Sequence, residues 1–85
     1  MTSKTYETSE LKLAALLLSE IPESNFKIKS QGNTIKKIIQ IIYSNQYEGE
    51  LNTLLREYIE RRSRVDVYKY NRSLNLLRDK LKENQ

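Results

Sequence analysis

The sequence predicts an α+β fold, ordered helix, β-hairpin, helix, helix, in one small domain completed by dimerisation. Three observations carry this reading. The run Leu11 to Leu18 is densely apolar at helical spacing, whereas Phe26-Lys27-Ile28-Lys29 alternates with a period of two. Five isoleucines then fall within the eight positions 35–42, directly behind the turn-forming Ser30-Gln31-Gly32-Asn33. Two amphipathic stripes follow, each preceded by a residue suited to start a helix.

Residues 1–7 are read as a flexible N-terminus, 8–83 as the single domain and 84–85 as a tail. Thr8 or Ser9 is placed to cap the first helix, with Glu10 in its first turn where the helix dipole favours an anion. Leu11, Ala14, Ala15 and Leu18 share one face, and Leu13, Leu16 and Leu17 widen the apolar surface well round the cylinder, so burial on more than one side is expected. Pro22 ends the helix near Ile21, because it disfavours helical backbone in the residue before it.

The isoleucine segment fits two patterns. Ile35, Ile38, Ile39 and Ile42 match a helix, and the same residues match a strand. The density of β-branched side chains and the preceding turn select the strand. A two-residue Gly32-Asn33 turn would pair Phe26 with Ile39, Ile28 with Lys37 and Lys29 with Lys36. Phe26, Ile28, Ile39 and Ile41 then share one face, and Lys27, Lys29, Lys36, Ile38 and Ile42 the other.

Asn45 and Glu48 have capping-box spacing ahead of the stripe Leu51, Leu54, Leu55, Tyr58 and Ile59. Asp66 is placed to cap the last helix, with stripe Val67, Tyr70, Leu74, Leu77 and Leu81. A lone two-stranded sheet is marginal and leaves both edges open, so a homodimer is expected, by edge pairing of strands or by helix packing.

Composition narrows function. The chain has 85 residues, no cysteine and no histidine. That removes disulfides, thiolate ligands and the commonest general base, and no serine has a base partner. Glu7 with Glu10 and Glu57 with Glu60 have the spacing of a carboxylate pair, yet solvated surface acids explain them more simply. No enzymatic activity and no cofactor are expected. The longest apolar run, Leu13 to Leu18, is far short of the ~20 residues a membrane span needs. Without a signal-peptide pattern, a cytoplasmic location is the default expectation.

The net charge of +4 is unevenly placed. Residues 1–30 balance four Lys against four Glu, and residues 31–60 carry three basic and four acidic groups. Residues 61–85 carry eight basic and three acidic groups, so they hold the whole excess. Arg61, Arg62, Arg64, Lys69 and Arg72 lie close together with Tyr68 and Tyr70. Arginine forks grip phosphates and tyrosine rings stack on bases. The competing reading gives Arg61 and Arg62 to a helix end and Tyr70 to the core. Lys27, Lys29 and Lys36 form a second basic group at the hairpin tip, where like charges paired across strands favour an anion laid over them. Edge lysines also protect sheets from aggregation.

The order of motifs resembles an uncharacterised family of short bacterial and phage proteins, a domain of unknown function. The matching pieces are Tyr6-Glu7-Thr8-Ser9-Glu10-Leu11 running into Leu13-Ala14-Ala15-Leu16-Leu17, the second strand, Leu54-Leu55-Arg56-Glu57-Tyr58, and Val65-Asp66 followed by Tyr70, Leu74, Arg78 and Leu81. The family tends to carry alternating aromatics where this chain has Ile38-Ile39-Gln40-Ile41-Ile42. The resemblance implies no activity, only the company of phages and plasmids. The sequence is therefore read as a small non-enzymatic accessory protein of a mobile element, binding DNA or RNA through its basic C-terminal segment. The alternative is an inhibitor or adaptor that binds a host protein through the apolar face of the first helix or an open strand edge.

Overall fold

The structure, a computed structural model, describes residues 2–30 and 37–83. It is an α+β arrangement with a three-stranded antiparallel sheet and three α-helices. In chain order these are β1 (Ser3–Thr8), α1 (Leu11–Glu20), β2 (Asn25–Ser30), β3 (Lys37–Ser44), a short 3-10 turn (Asn45–Tyr47), α2 (Glu48–Ile59) and α3 (Val67–Glu83). The isoleucine segment is extended over its described part and forms the central strand, in the sheet order β1-β3-β2.

The N-terminus is the main correction. Residues 3–8 are not a flexible end but an edge strand, paired with β3 from Ser3↔Ser44 to Thr8↔Ile39. Lys4, Tyr6 and Thr8 point inward and Ser3, Thr5 and Glu7 outward, so the segment has the period of a half-buried strand. Both edges of β3 are thereby paired within one chain, and the two-stranded premise behind the expected dimer does not hold. β1 and β2 are each antiparallel to β3, hence parallel to one another. Such a pair needs a crossover, and α1 supplies it.

The hairpin register also differs from expectation. Phe26 pairs with Ile41, Ile28 with Ile39 and Lys29 with Ile38. This is a slip of two residues from the pairing that a Gly32-Asn33 turn imposes. That turn lies outside the described residues. Because side chains alternate with a period of two, an even slip leaves every residue on its expected face. Ile39 and Ile41 are buried and Phe26 and Ile28 pack against them, as expected.

Five consecutive residues of α1, Leu13 to Leu17, are buried. The helix touches β1, β3, α2 and α3, which is why its apolar residues run round so much of the cylinder. Most of its apolar surface is consumed within the chain, with Leu11 and Leu18 left half-buried. The core is completed by Ile21, Tyr43, Leu51, Leu74 and Leu77. Capping at the start of α1 differs from expectation. Thr8 ends β1, and its hydroxyl oxygen accepts the Glu10 N–H at 3.1 Å. After α1, Pro22 and Glu23 form a turn closed by the Ser24 N–H on the Ile21 carbonyl, with Glu23 at φ 59°. Proline followed by a left-handed residue is the pattern of a type II turn.

The expected Asn45–Glu48 capping box is absent, since Asn45 opens the 3-10 turn and α2 starts at Glu48 without a side-chain cap. Glu48 instead accepts a hydrogen bond from the Lys4 ammonium at 2.7 Å, tying β1 to the head of α2. That bond, more than the accompanying charge attraction, raises the Lys4 pKa above its ordinary value. The Asp66 cap is present: its carboxylate accepts the Lys69 N–H at 3.2 Å. Asp66→Ala should destabilise the fold by about 1 kcal/mol, measured by urea unfolding; an unchanged midpoint would rule the cap out as a contributor.

The sheet has two unlike faces. Ile39, Ile41 and Tyr43 look toward the helices and are buried. Ile38, Gln40 and Ile42 alternate with them and stand, half-buried, on the opposite face. None of these three belongs to the core cluster.

Candidate nucleic-acid interface

The basic residues singled out from the sequence fall in two places. Arg61, Arg62 and Arg64 lie on an exposed strap, residues 60–66, between α2 and α3. Lys69 and Arg72 lie on the first turns of α3 and are also exposed. Lys27 and Lys29 stand on β2, exposed on the outer face of the sheet. Lys36 lies outside the described residues. Lys29 faces Ile38 across the strands, so the expected Lys29–Lys36 pairing is not the one formed.

The strap is shaped by the end of α2. The Arg62 N–H donates to the Glu57 carbonyl at 2.8 Å and the Arg61 N–H to the Tyr58 carbonyl at 3.1 Å. Arg61 has φ 58°. These are the two bonds and the left-handed residue of a Schellman motif, with arginine where glycine is usual. A left-handed conformation costs a residue with a Cβ roughly 1 kcal/mol. Arg61→Gly should therefore raise stability by about 0.5–1 kcal/mol in denaturant titration while removing one cation from the strap. A loss of stability would show that the Arg61 side chain packs rather than projects.

The charges on this surface are mostly uncompensated. One guanidinium nitrogen of Arg62 donates to both carboxylate oxygens of Glu60, at 2.6 and 2.9 Å, an exposed pair of small energetic weight. Among the described residues, Arg61, Arg64, Lys69 and Arg72 have no acidic partner. Tyr68 is 79 % exposed, and one helical turn separates it from Arg72 on the same face. Tyr70 is half-buried and packs on the core, as the competing reading held. Further along α3, Lys80 pairs with Glu83 at 3.2 Å, in keeping with a mixed solvated face.

Beside the strap runs a groove of about 610 Å³, bordered by Arg61 and Ser63 on the strap and by Glu10 and Lys12 at the start of α1. Leu16, Tyr58, Ile59, Val65 and Tyr70 supply its apolar wall. The Tyr58 phenol is held above its ordinary pKa, first by burial and then by its hydrogen bond to Glu10. It therefore stays a neutral donor through the physiological range. Ile59 and Val67, expected to face inward, are 78 % and 67 % exposed. Each stands at the helix end next to the strap, where its stripe runs past the core.

The topology relates the two basic groups. Arg61 borders the same groove as Glu10, which lies two residues after Thr8. Thr8 pairs with Ile39, one residue from the partner of Lys29. The strap and the hairpin lysines thus lie toward one end of the molecule, the lysines on the face away from the helices. The groove was not legible in the sequence, and Tyr68, one tyrosine among six, was singled out there only by its basic neighbours. Its place off the apolar stripe of α3 was the available signal of its exposure.

Among the described residues, no three acidic, histidine or cysteine side chains converge to hold a metal ion. No described helix is long and apolar enough to cross a membrane. No family model, curated protein or solved structure matches the chain.

Proposed function

We propose that this protein is a small non-enzymatic module that binds nucleic acid through the strap and the first turns of α3. The observation that carries this reading is the grouping of Arg61, Arg62, Arg64, Lys69 and Arg72, all exposed, around the exposed ring of Tyr68. Guanidinium forks match phosphate geometry, and an exposed tyrosine offers a base a stacking surface. Residues 62–66 lie outside helix and strand, so the strap's arginines are not held to one regular spacing, which suits a flexible single strand better than the groove of a rigid duplex. On this reading DNA or RNA is the partner, the site of action is the cytoplasm, and the motif resemblance supports a role as an accessory factor of a mobile element.

Fluorescence anisotropy with labelled single-stranded DNA and RNA, at two salt concentrations, tests it. Affinity should fall steeply with salt, because each phosphate contact releases counterions. No binding at low salt would end the reading.

One observation favours a second reading. The groove beside Arg61, with Ile59 and Val67 exposed nearby, has the apolar wall and charged rim of a peptide site. β1 and β2 also each present an open edge for strand addition. A host protein held as inhibitor target or adaptor partner would then occupy them. Pull-down from nuclease-treated lysate separates the two: a retained protein supports this second reading, and loss of all partners supports the first.

A further inference from the structure

The outer face of the sheet is laid out in rows by the strand register. One row is Thr5, Ile42 and Asn25; the next is Glu7, Gln40 and Lys27; the third holds Ile38 and Lys29. The middle row runs acid, amide, base across the sheet. Gln40 donates its side-chain N–H to the Glu7 carboxylate at 2.5 Å, which fixes both groups on this face. Ile42 and Ile38 stand above and below Gln40 on the central strand, half-buried. Among the described residues no helix covers this face.

We propose that a second copy of the chain covers it, sheet against sheet, about a two-fold axis running parallel to β3. The charge layout selects both the occupant and the axis. A two-fold parallel to the strands sets β1 of one copy over β2 of the other and keeps each row level. Glu7 then meets Lys27 of the second copy, and Lys27 meets its Glu7, so the ion pair forms twice. Lys29 lies diagonal to the same Glu7. Ile38 and Ile42 meet their own images and form an apolar spine between the pairs. A two-fold across the strands sets β1 over β1 and β2 over β2, which juxtaposes like charges. Only the first axis makes the face self-complementary. Packed sheets lie about 10 Å apart with strands within about 30° of each other, a gap that a lysine and a glutamate span together.

Three strands of about six residues present roughly 300 Å² of projected sheet. That is small for a specific interface, so the dimer is weak, with a dissociation constant in the micromolar range or above. The strap is on the other side of the sheet and stays open in both copies, so the dimer also holds if the strap binds nothing.

Sedimentation equilibrium over a wide concentration range tests the assignment, with far-UV circular dichroism as the folding control. Glu7→Lys and Lys27→Glu should each weaken the dimer at least ten-fold, and the double variant Glu7→Lys/Lys27→Glu should return to within about three-fold of wild type. Ile42→Asp should abolish association. A wild-type chain that stays monomeric at high concentration overturns the proposal. So does a double variant no better than either single one. A dimer insensitive to both charges is edge pairing and overturns it too. A monomer whose DNA affinity falls with Lys27→Glu means that nucleic acid occupies the face, with the same consequence.

Discussion

Replacing Arg61, Arg62 and Arg64 together by alanine is expected to weaken binding to single-stranded nucleic acid by on the order of 100-fold near 50 mM salt. The reasoning is additive. Each arginine that neutralises a phosphate releases condensed counterions, and losing three should lower the slope of log affinity against log salt by about two to three. The effect should shrink as salt rises and nearly vanish at high salt, which separates lost charge from lost fold. The arginines are exposed, and among them only Arg62 has an ion-pair partner, on the surface, so stability should change little. Tyr68→Ala should cost a further 1–3 kcal/mol with little change in slope, since stacking is not ionic. An unaltered salt slope in the triple variant would move the interface elsewhere.

Removing β1 is expected to unfold the domain. A chain that starts at Ser9 leaves the whole β1 side of β3 unpaired, from Ile39 to Ser44. It also loses the inward ring of Tyr6 and the tie from Lys4 to Glu48. Net backbone hydrogen bonds of about 1 kcal/mol each, together with the burial of an aromatic ring, come to roughly 5 kcal/mol. A domain of this size has little more than that in total. The truncated chain should lose its cooperative melt by circular dichroism and tend to aggregate through the bared edge of β3. The single change Tyr6→Ala should fold but melt earlier. A truncated chain melting within a few degrees of the full one would return residues 3–8 to the status of a flexible end.

What the sequence revealed and concealed follows from how strongly each segment carries its pattern. α1 was legible because its apolar residues are dense and Pro22 marks its end. β3 was legible because a cluster of β-branched side chains outweighs a coincidental helical spacing. α3 announced its start through Asp66, whose carboxylate caps Lys69. β1 stayed hidden because its inward positions are Lys4, Tyr6 and Thr8, of which only the ring of Tyr6 is strongly apolar. An edge strand with one such residue has the alternation of a strand without its hydrophobicity. The hairpin register slipped because it was inferred from an assumed turn, while the faces were right because the slip was even. Ile59 and Val67 fitted their stripes by spacing, but spacing does not say where the opposing surface stops. The site was legible as charge: every arginine of the strap was visible as a run of basic residues. The left-handed turn at Arg61 that sets the run in a strap, and the groove against α1, depend on contacts between distant segments.

The proposed dimer illustrates the same point. Association was expected from a sheet thought to lack a strand; the sheet is complete in one chain, and the reason to associate moves to the face that the helices leave bare. There the alternation of Ile38, Gln40 and Ile42 with the buried Ile39, Ile41 and Tyr43 gives β3 two half-apolar faces, of which the single chain covers one.

The strap's role is tested most directly by following backbone amide resonances of the isotope-labelled protein while a short single-stranded oligonucleotide is added. The largest shifts should fall on residues 61–72, with the Tyr68 ring signals moving with them, and should collapse on adding salt. Shifts centred on Lys27, Lys29 and Ile38–Ile42, or no shifts at all at low salt, would contradict the account.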